Sequence, residues 1–283
     1  MKALDIEEIC RRIGVQRPYF AFRELHDQGN STVLGVFASE QSTGFERGSV
    51  ASAEIGRHLA ILGSCAAALA QSDQKIYYLA TKARLTHLRD TPTRPQGEPF
   101  QAIAEVTRCD SRTMSAHAIV TDGKPFAHLH CEYQILPAPL FGRLFKRYRI
   151  LSEATTDESP YKNPIPLEFG RVEGLLLKAY SPPLPQHQFA GHFQDYPTWP
   201  VAILADTVAQ VRSRLLHHML GEQRKYTIIR VDLEALQLVS ALESLTFEVE
   251  CVSQSTALSH YVFSGRVMHD QKVSATMEME VLV

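Results

Sequence analysis

The stretch Gly191–Gln210 reads G-H-F-Q-D-Y-P-T-W-P-V-A-I-L-A-D-T-V-A-Q and includes the only tryptophan of the chain. Two prolines interrupt its first part, and an apolar run follows the second of them, Pro200. Proline suits the first turn of a helix because its φ is already near the helical value and its missing N–H is not needed there. The stretch therefore predicts a loop that carries His192, followed by a buried helix that carries Asp206.

Asp206 and Gln210 are four residues apart, so they share one face of this helix. Burying a carboxyl group among apolar residues costs free energy unless the group has a partner or a function. Both residues are therefore candidates for a functional site.

Composition and charge restrict the classes of function. Hydrophobic residues make up 45% of the 283 residues, charged residues 21%, and the formal net charge is −2. These values are typical of a soluble globular protein, and no global field favours nucleic acid or a membrane. The five cysteines are odd in number and lack paired spacing, which favours free thiols in a reducing cytosol. The N-terminus lacks an apolar signal segment, and the apolar stretch Leu59–Ala70 is too short for a bilayer, so a cytoplasmic location is expected.

The two halves of the chain repeat one pattern: one or more strands, a loop, a long helix and four β-like runs. In the first half the helix is expected at Val50–Leu69, and Asp122-Gly123 marks a hairpin between the last two runs. In the second half the helix is expected at about Trp199–Met219. The distance from Glu54 to Asp122 is 68 residues, and that from Asp206 to Asp270 is 64. The pattern predicts an N-terminal domain over residues 1–136, a proline-flanked basic linker over 137–166 and a C-terminal domain over 167–283.

The other predicted elements follow from alternation and turn signals. The first half is expected to contain a short helix at residues 1–14 and strands at 19–25, 32–38, 76–88, 100–108, 113–120 and 126–136. The second half is expected to contain strands at 172–180, 225–236, 244–252, 258–267 and 272–283. A long helix wrapped by an antiparallel sheet is an α+β arrangement, and two copies can cover each other as a pseudo-dimer within one chain.

These residues resemble the β-hydroxyacyl-carrier-protein dehydratases of the hot-dog fold. The resemblance lies in the pattern G-H-F-x-x-x-P-x-x-P, with an acid and a glutamine at the family's spacing. The matching residues here are Gly191, His192, Phe193, Pro197, Pro200, Asp206 and Gln210. It covers residues 165–283 well and implies a double hot-dog fold. The first half resembles only the fold, with Glu54 aligned with Asp206 and His58 aligned with Gln210.

Two departures from the family pattern matter. The family commonly has glycine after the second proline, where a backbone N–H holds the thioester carbonyl, and this chain has Val201. The loop of the first half has no histidine and carries Phe45 near the matching place. Two equivalent active sites are therefore excluded.

The resemblance implies dehydration of 3-hydroxyacyl thioesters to 2-enoyl thioesters, in fatty-acid or polyketide-type biosynthesis. In the family, histidine and acid come from different hot-dog units, which implies that His192 faces Glu54 and that Asp206 belongs to a degenerate site. The alternative is that the loop brings His192 and Asp206 together. An imidazole can remove the α-proton, and an acid in an apolar tunnel can protonate the leaving hydroxyl. Backbone N–H groups at Pro200-Val201 would hold the enolate oxygen.

Other residues receive secondary roles. His58 and Gln210 are expected to orient their neighbouring acids and contact substrate, together with Gly191 and Phe193. No metal or redox cofactor is expected, since His128 and His130 point to one face of a strand and Cys131 to the other.

A basic segment forms the expected docking surface for an acyl carrier protein, whose phosphopantetheine arm carries the substrate. Its residues are Arg143, Lys146, Arg147 and Arg149. Ketosynthase or other synthase components are further candidate partners, as is a second copy of the chain. The plain alternative is a solvated linker. Two other functions stay open, a hot-dog acyl thioesterase in which Glu54 activates water and a non-catalytic subunit that binds acyl chains.

Overall fold

The computed structural model describes residues 2–71, 74–95, 97–150 and 158–283. Its helices are α1 (Ile6–Ile13), α2 (Ser52–Ala70), α3 (Ala138–Leu144) and α4 (Val201–Leu220). The strands of the first half are β1 (Lys2–Ala3), β2 (Glu24–Gly29), β3 (Thr32–Ala38), β4 (Ile76–His87), β5 (Pro99–Cys109), β6 (Thr113–Thr121) and β7 (Pro125–Pro137). Those of the second half are β8 (Glu168–Phe169), β9 (Leu176–Ser181), β10 (Thr227–Ala235), β11 (Leu245–Ser255), β12 (His260–His269) and β13 (Lys272–Leu282).

The strands form one antiparallel sheet in the order β1-β2-β3-β5-β6-β7-β4-β10-β13-β12-β11-β9-β8. The expected hairpin at Asp122-Gly123 joins β6 to β7 and is confirmed, and the equivalent turn at Asp270-Gln271 joins β12 to β13. Each half wraps its strands round one long helix, as the α+β prediction states. Helix α2 packs on β3, β5 and β6, and α4 packs on β9, β11 and β12.

The two halves join at their central strands. β4 pairs with β10 in an antiparallel register that places Leu85 opposite Val231. On the outer face Lys82 contacts Glu234 at 3.2 Å, and Arg84 forms an ion pair with Asp232. Because the sheet is continuous here, α2 and α4 lie on the same side of it and contact each other.

Both long helices are built for burial. Helix α2 is rich in alanine and has buried residues on nearly every side, as expected for a helix that is apolar all round. Helix α4 begins after Pro200 and ends at Gly221, whose φ of +72° provides the left-handed C-terminal cap. Their positions confirm the helices expected at Val50–Leu69 and Trp199–Met219 to within a few residues.

Two expectations from the sequence are wrong in part. The strand expected at residues 19–25 is shifted to β2, because residues 17–19 form a turn in which the N–H of Phe20 donates to the carbonyl of Gln16 at 2.9 Å. The strand expected at 172–180 begins only at Leu176, after the turn at Gly174, whose φ is +61°.

The predicted linker contains structure. Within residues 137–166, α3 places Phe141 flat against Tyr77 with ring centroids 3.9 Å apart, and Tyr148 is also buried. Residues 151–157 of the predicted linker lie outside the described residues. No helix of the described ranges is both long and apolar enough to cross a bilayer.

Candidate functional site

The loop that carries His192 is fixed against the start of the chain. The backbone carbonyl of Gly191 accepts the N–H of Gln16 at 2.8 Å, and His192 forms a β-bridge with Val15. Gly191 has a φ of +83°, and a Cβ there would lie 2.3 Å from the carbonyl oxygen of Gln16. Phe193 also has a positive φ, +49°. Such conformations cost free energy and persist where surrounding contacts enforce them, so the loop holds His192 in a defined position.

The imidazole of His192 is oriented by one hydrogen bond. The ring is 8% exposed, and its Nδ1 lies 3.3 Å from the carbonyl oxygen of Thr198. Because a carbonyl only accepts, this bond requires the proton on Nδ1 and leaves the lone pair on Nε2. Burial lowers the pKa of His192 to about 3, so the ring is neutral near neutral pH. Two aromatic rings pack against the imidazole. The ring of Tyr19 meets it edge-on with centroids 5.0 Å apart, and that of Phe193 stacks on it with centroids 4.0 Å apart.

Open backbone donors lie at the start of α4, where Val201 and Ala202 line the same cavity as His192. No side chain caps the helix, and its internal bonds begin with the N–H groups of Ile203 and Leu204, which both donate to the carbonyl of Pro200. The first N–H groups of a helix have no internal acceptor, so those of Val201 and Ala202 are free to bind an oxygen. The positive end of the helix dipole favours negative charge at this point.

A cavity of about 460 Å³ lies between α2, α4 and the central strands. His192, Phe193 and Val201 line it, and their contact with substrate stays a prediction. The other predicted substrate contacts Gly191, Pro200 and Gln210 are not among the wall residues. The two helices present small side chains to it, which leaves the space open; these are Ala53, Gly56 and Ala60 of α2 and Ala202, Ala205 and Ala209 of α4. Its size and mostly apolar wall are those of a small-molecule site.

Glu54 is turned away from this cavity. Its carboxylate accepts the Ser39 hydroxyl at 2.7 Å and the Glu40 N–H at 2.8 Å, both from the end of the strand β3 and the loop after it. Despite burial, the side chains of His58 and Arg57 and the backbone bond lower the pKa of Glu54. The structure therefore does not bring Glu54 into contact with His192, which corrects the expected direct pairing, and it keeps this carboxylate ionised.

His58 lies in the core beside Glu54. Its Nε2 is 3.5 Å from a Glu54 oxygen, and its ring packs against Phe37 at 4.2 Å and Phe22 at 5.6 Å. Burial and the nearby Arg57 lower the pKa of His58. His58 is not part of the cavity wall, so the expected substrate contact is not present, because this face of α2 points to the sheet.

Sequence reasoning missed Arg57 as a site residue. The side chain is fully buried, pairs with Glu40, and lies over the rings of Tyr19 at 5.7 Å and Tyr161 at 5.2 Å. It thus connects Glu40, and Glu54 at 3.7 Å, to the tyrosine that packs against His192. An arginine in an otherwise apolar helix was the available signal, because a buried cation requires partners.

Asp206 follows the wall residue Ala205 on α4 but is not itself among the residues that line the cavity. Its side chain is half-buried and accepts a 3.4 Å hydrogen bond from Gln210, as their spacing predicted. Burial raises the pKa of Asp206 to about 6, while Arg57 and Arg212 oppose the shift and Glu54 adds to it. Among the described residues no contact joins Asp206 to His192, whose Nδ1 bonds to the Thr198 carbonyl. Burial raises the pKa of Asp206 and also that of Glu46, an acid on the cavity wall.

No protein-family model matches the chain, and the search of curated proteins finds no match. Several solved structures match its whole fold. A protein of unknown function with a hot-dog fold from Alicyclobacillus acidocaldarius has a TM-score of 0.58 and 12% identity, covering 95% of this chain and 98% of its own.

The chain has a double hot-dog fold. Two further structures cover it almost fully. An acyl-CoA thioesterase II, TesB2, from Mycobacterium marinum has a TM-score of 0.54 and 13% identity, covering 98% of this chain and 97% of its own. A putative thioesterase from Novosphingobium aromaticivorans has a TM-score of 0.61 and 12% identity, covering 93% and 99%. Identities this low establish the fold alone.

The basic segment lies at the edge of the cavity in this double hot-dog chain. Arg143, Lys146, Arg147 and Arg149 are all exposed. Arg147 also belongs to the cavity wall, together with Phe145 and Tyr148. The hydroxyl of Tyr148 accepts from Arg147 at 2.8 Å and donates to the carbonyl of Leu238 at 3.3 Å. These bonds attach the segment to the second hot-dog half. Within the described ranges, no group of three or more His, Cys, Asp or Glu side chains is arranged to hold a metal ion.

Proposed function

We propose that the chain dehydrates 3-hydroxyacyl thioesters to 2-enoyl thioesters in the cavity between α2 and α4. The observation that carries this proposal is the state of His192. Its Nδ1 is engaged by Thr198, its Nε2 has no hydrogen bond among the described residues, and Val201 and Ala202, at the uncapped start of α4, line the same cavity. A neutral base next to an oxyanion site is what removal of an α-proton from a thioester requires.

The reaction has three steps for these groups. Nε2 of His192 takes the α-proton, and negative charge develops on the thioester oxygen. The N–H groups of Val201 and Ala202 hold that oxygen. Asp206, whose pKa is raised to about 6, gives its proton to the departing hydroxyl. The base and the acid act on adjacent carbons, so the substrate lies between them and no direct contact between His192 and Asp206 is needed.

The substrate is proposed to arrive on an acyl carrier protein. The basic segment lies where the cavity wall meets the surface, and carrier proteins of this kind present acidic faces. Complementary charge speeds such encounters. The small side chains of α2 and α4 leave room for the acyl chain, and the phosphopantetheine arm would pass the segment at Arg147.

A hot-dog acyl thioesterase is the second candidate, favoured by the names of the matching structures from Mycobacterium marinum and Novosphingobium aromaticivorans. That reaction needs a carboxylate to activate water. Glu54 is ionised, but its oxygens already accept hydrogen bonds from residues 39–41. The geometry therefore supports dehydration better than hydrolysis through Glu54.

The test supplies a 3-hydroxyacyl carrier thioester and, separately, its enoyl product. Interconversion of the two supports the proposal, release of free acid supports the thioesterase, and no turnover by folded protein supports a non-catalytic subunit.

The variants Asp206→Asn and Glu54→Gln are then compared in the same assay. We expect the first to lower kcat by about 100-fold or more, as for loss of a general acid. Glu54→Gln is the matched control, and an equal loss in kcat there, with the fold intact, would contradict the assignment of Asp206.

A further inference from the structure

A serine on the cavity wall, away from His192, lies in hydrogen-bond contact with a histidine behind it. The Oγ of Ser52 is 2.8 Å from Nε2 of His87, and Nδ1 of His87 is 3.3 Å from the hydroxyl of Thr91. Glu46 accepts both the backbone N–H of Ser52, at 2.8 Å, and the Ser52 hydroxyl, whose oxygen therefore lies between Glu46 and His87. Ser52 is only 4% exposed, and it lines the cavity together with Glu46.

This group lies beside the second half of α4, whereas His192 lies beside its start. Arg47, next to Glu46, donates its N–H to the carbonyl of Tyr226 at 2.8 Å, and the hydroxyl of Tyr226 accepts from Arg212 at 2.8 Å. Arg212 follows Val201 by eleven residues, which is about 16 Å along a helix. The cavity wall therefore carries two separate polar groups joined by apolar surface.

The surroundings of Ser52 suit a nucleophile. Burial lowers the pKa of His87 to about 4, so the ring is neutral near neutral pH and its Nε2 can accept a proton. Ser52 is the first residue of α2, and the neighbouring Ala53 also lines the cavity. The first N–H groups of a helix lack internal acceptors and stabilise an oxyanion.

Helix capping explains only part of this arrangement. The bond from the Ser52 N–H to Glu46 satisfies the start of α2. A helix cap does not need a histidine within hydrogen-bond distance of the serine hydroxyl. It also does not need the serine to line a cavity. Thr91, in turn, holds the far side of the His87 ring. Nucleophile, base and orienting group thus occur in sequence, which is the arrangement of nucleophilic catalysis.

We infer that Ser52 is an acyl-accepting nucleophile, with His87 as its base, and that its substrates are aliphatic acyl thioesters or esters bound in the cavity. The Oγ attacks the carbonyl carbon while Nε2 of His87 takes its proton. The C–S bond breaks, and the leaving thiolate takes that proton to depart as a thiol. Water then attacks the Ser52 ester, its proton passes through His87 to Oγ, and a carboxylic acid leaves.

The test uses the full chain and an alkyl fluorophosphonate, which loses fluoride when a serine oxygen bonds to its phosphorus. Intact mass and peptide mapping should show one adduct per chain, on Ser52, and none in Ser52→Ala. His87→Gln keeps a hydrogen-bonding side chain but accepts no proton, so labelling should slow by about 100-fold. Ser64→Ala is the matched control, because Ser64 also lines the cavity but donates to the carbonyl of Ala60 and has no base.

The result that overturns this inference is a folded wild-type chain without an adduct on Ser52, or equal labelling rates in wild type and His87→Gln. Circular dichroism and thermal unfolding of each variant establish that the chains are folded. Labelling requires no dehydration, so its failure leaves the proposal for His192 standing. Conversely, a chain without dehydratase activity can still label at Ser52.

Discussion

At the scale of the residue, Gly191 determines where His192 lies. Its φ of +83° and the 2.3 Å approach of a Cβ to the Gln16 carbonyl oxygen exclude larger residues without movement of the loop. Gly191→Ala should therefore lower the free energy of unfolding by about 2–3 kcal/mol and reduce kcat, since both strain and a clash are introduced. Urea unfolding and turnover measure these effects.

The control for this variant is Gly174→Ala. Gly174 also has a positive φ, +61°, but a Cβ there meets no described atom within 4 Å. Only conformational strain applies, and the expected loss is about 1 kcal/mol with kcat unchanged. Equal losses of stability in the two variants would contradict the role given to the contact with Gln16.

The pH dependence follows from Asp206. Its pKa is raised to about 6 by burial, against Arg57 and Arg212, with Glu54 adding to the shift and Gln210 opposing it. Because the protonated form donates to the leaving hydroxyl, kcat/KM for dehydration should fall as the pH rises through about 6. His192, whose pKa is lowered to about 3, stays neutral over this range. In Asp206→Asn the residual rate should lack this alkaline limb, and a limb of unchanged position would rule Asp206 out as its source.

The sequence identified part of the site at this scale. His192 and Val201 lie on the cavity wall as expected, because the motif fixes a loop followed by a helix start. Glu54 lies on the predicted helix, yet its direction depends on Ser39 and on the backbone after β3, which no helical period reveals. Ser52 and His87 are 35 residues apart, and their contact depends on how β4 packs beside α2.

At the scale of the element, α2 and α4 define the cavity through their small residues. Gly56 faces the cavity, and a Cβ built on it therefore has no described atom within 4 Å. Gly56→Leu should therefore fold, gain about 0.5–1 kcal/mol in the free energy of unfolding from helix propensity, and fill part of the cavity. For the longest accepted acyl chains, kcat/KM should fall about 10-fold or more relative to short chains.

Gly56→Ala serves as its control, because a single methyl group fills less of the space. The two variants should shift the preferred chain length in order of side-chain size, measured with a series of acyl thioesters of increasing length. A chain-length preference that is identical in Gly56→Leu and wild type would place the acyl chain elsewhere.

The elements themselves were largely predictable. Strict alternation and the Asp122-Gly123 turn define β5, β6 and β7, and the alanine-rich run defines α2. The failures occur where a turn at residues 17–19 delays β2 and where Gly174 delays β9. In both places a turn overrides the local pattern.

At the scale of the whole molecule, the exposed basic segment forms a positively charged surface at the edge of the cavity. Arg143→Glu with Lys146→Glu should reduce kcat/KM for a carrier-linked substrate by about 10-fold at low salt and by less at high salt. The same acyl group on free pantetheine should react as in wild type. Arg171→Glu is the control, an exposed arginine outside the segment. Equal effects of both changes on the carrier-linked substrate would exclude this segment as the docking surface.

The joining of the halves brings the starts of both long helices to one cavity. His192 and Val201 line it at the start of α4, and Ser52 and Ala53 line it at the start of α2. The repeat in the sequence predicted two units. The shared cavity depends on the pairing of β4 with β10, which no local signal encodes.

The most direct test of the central claim is exchange of the α-proton of an acyl thioester with deuterated water. A saturated acyl chain cannot lose hydroxide, so exchange reports proton removal alone. Wild type should exchange the proton, His192→Gln should lose at least about 100-fold in rate, and Asp206→Asn should retain exchange while losing dehydration. Exchange at the wild-type rate in folded His192→Gln would contradict the assignment of His192 as the base.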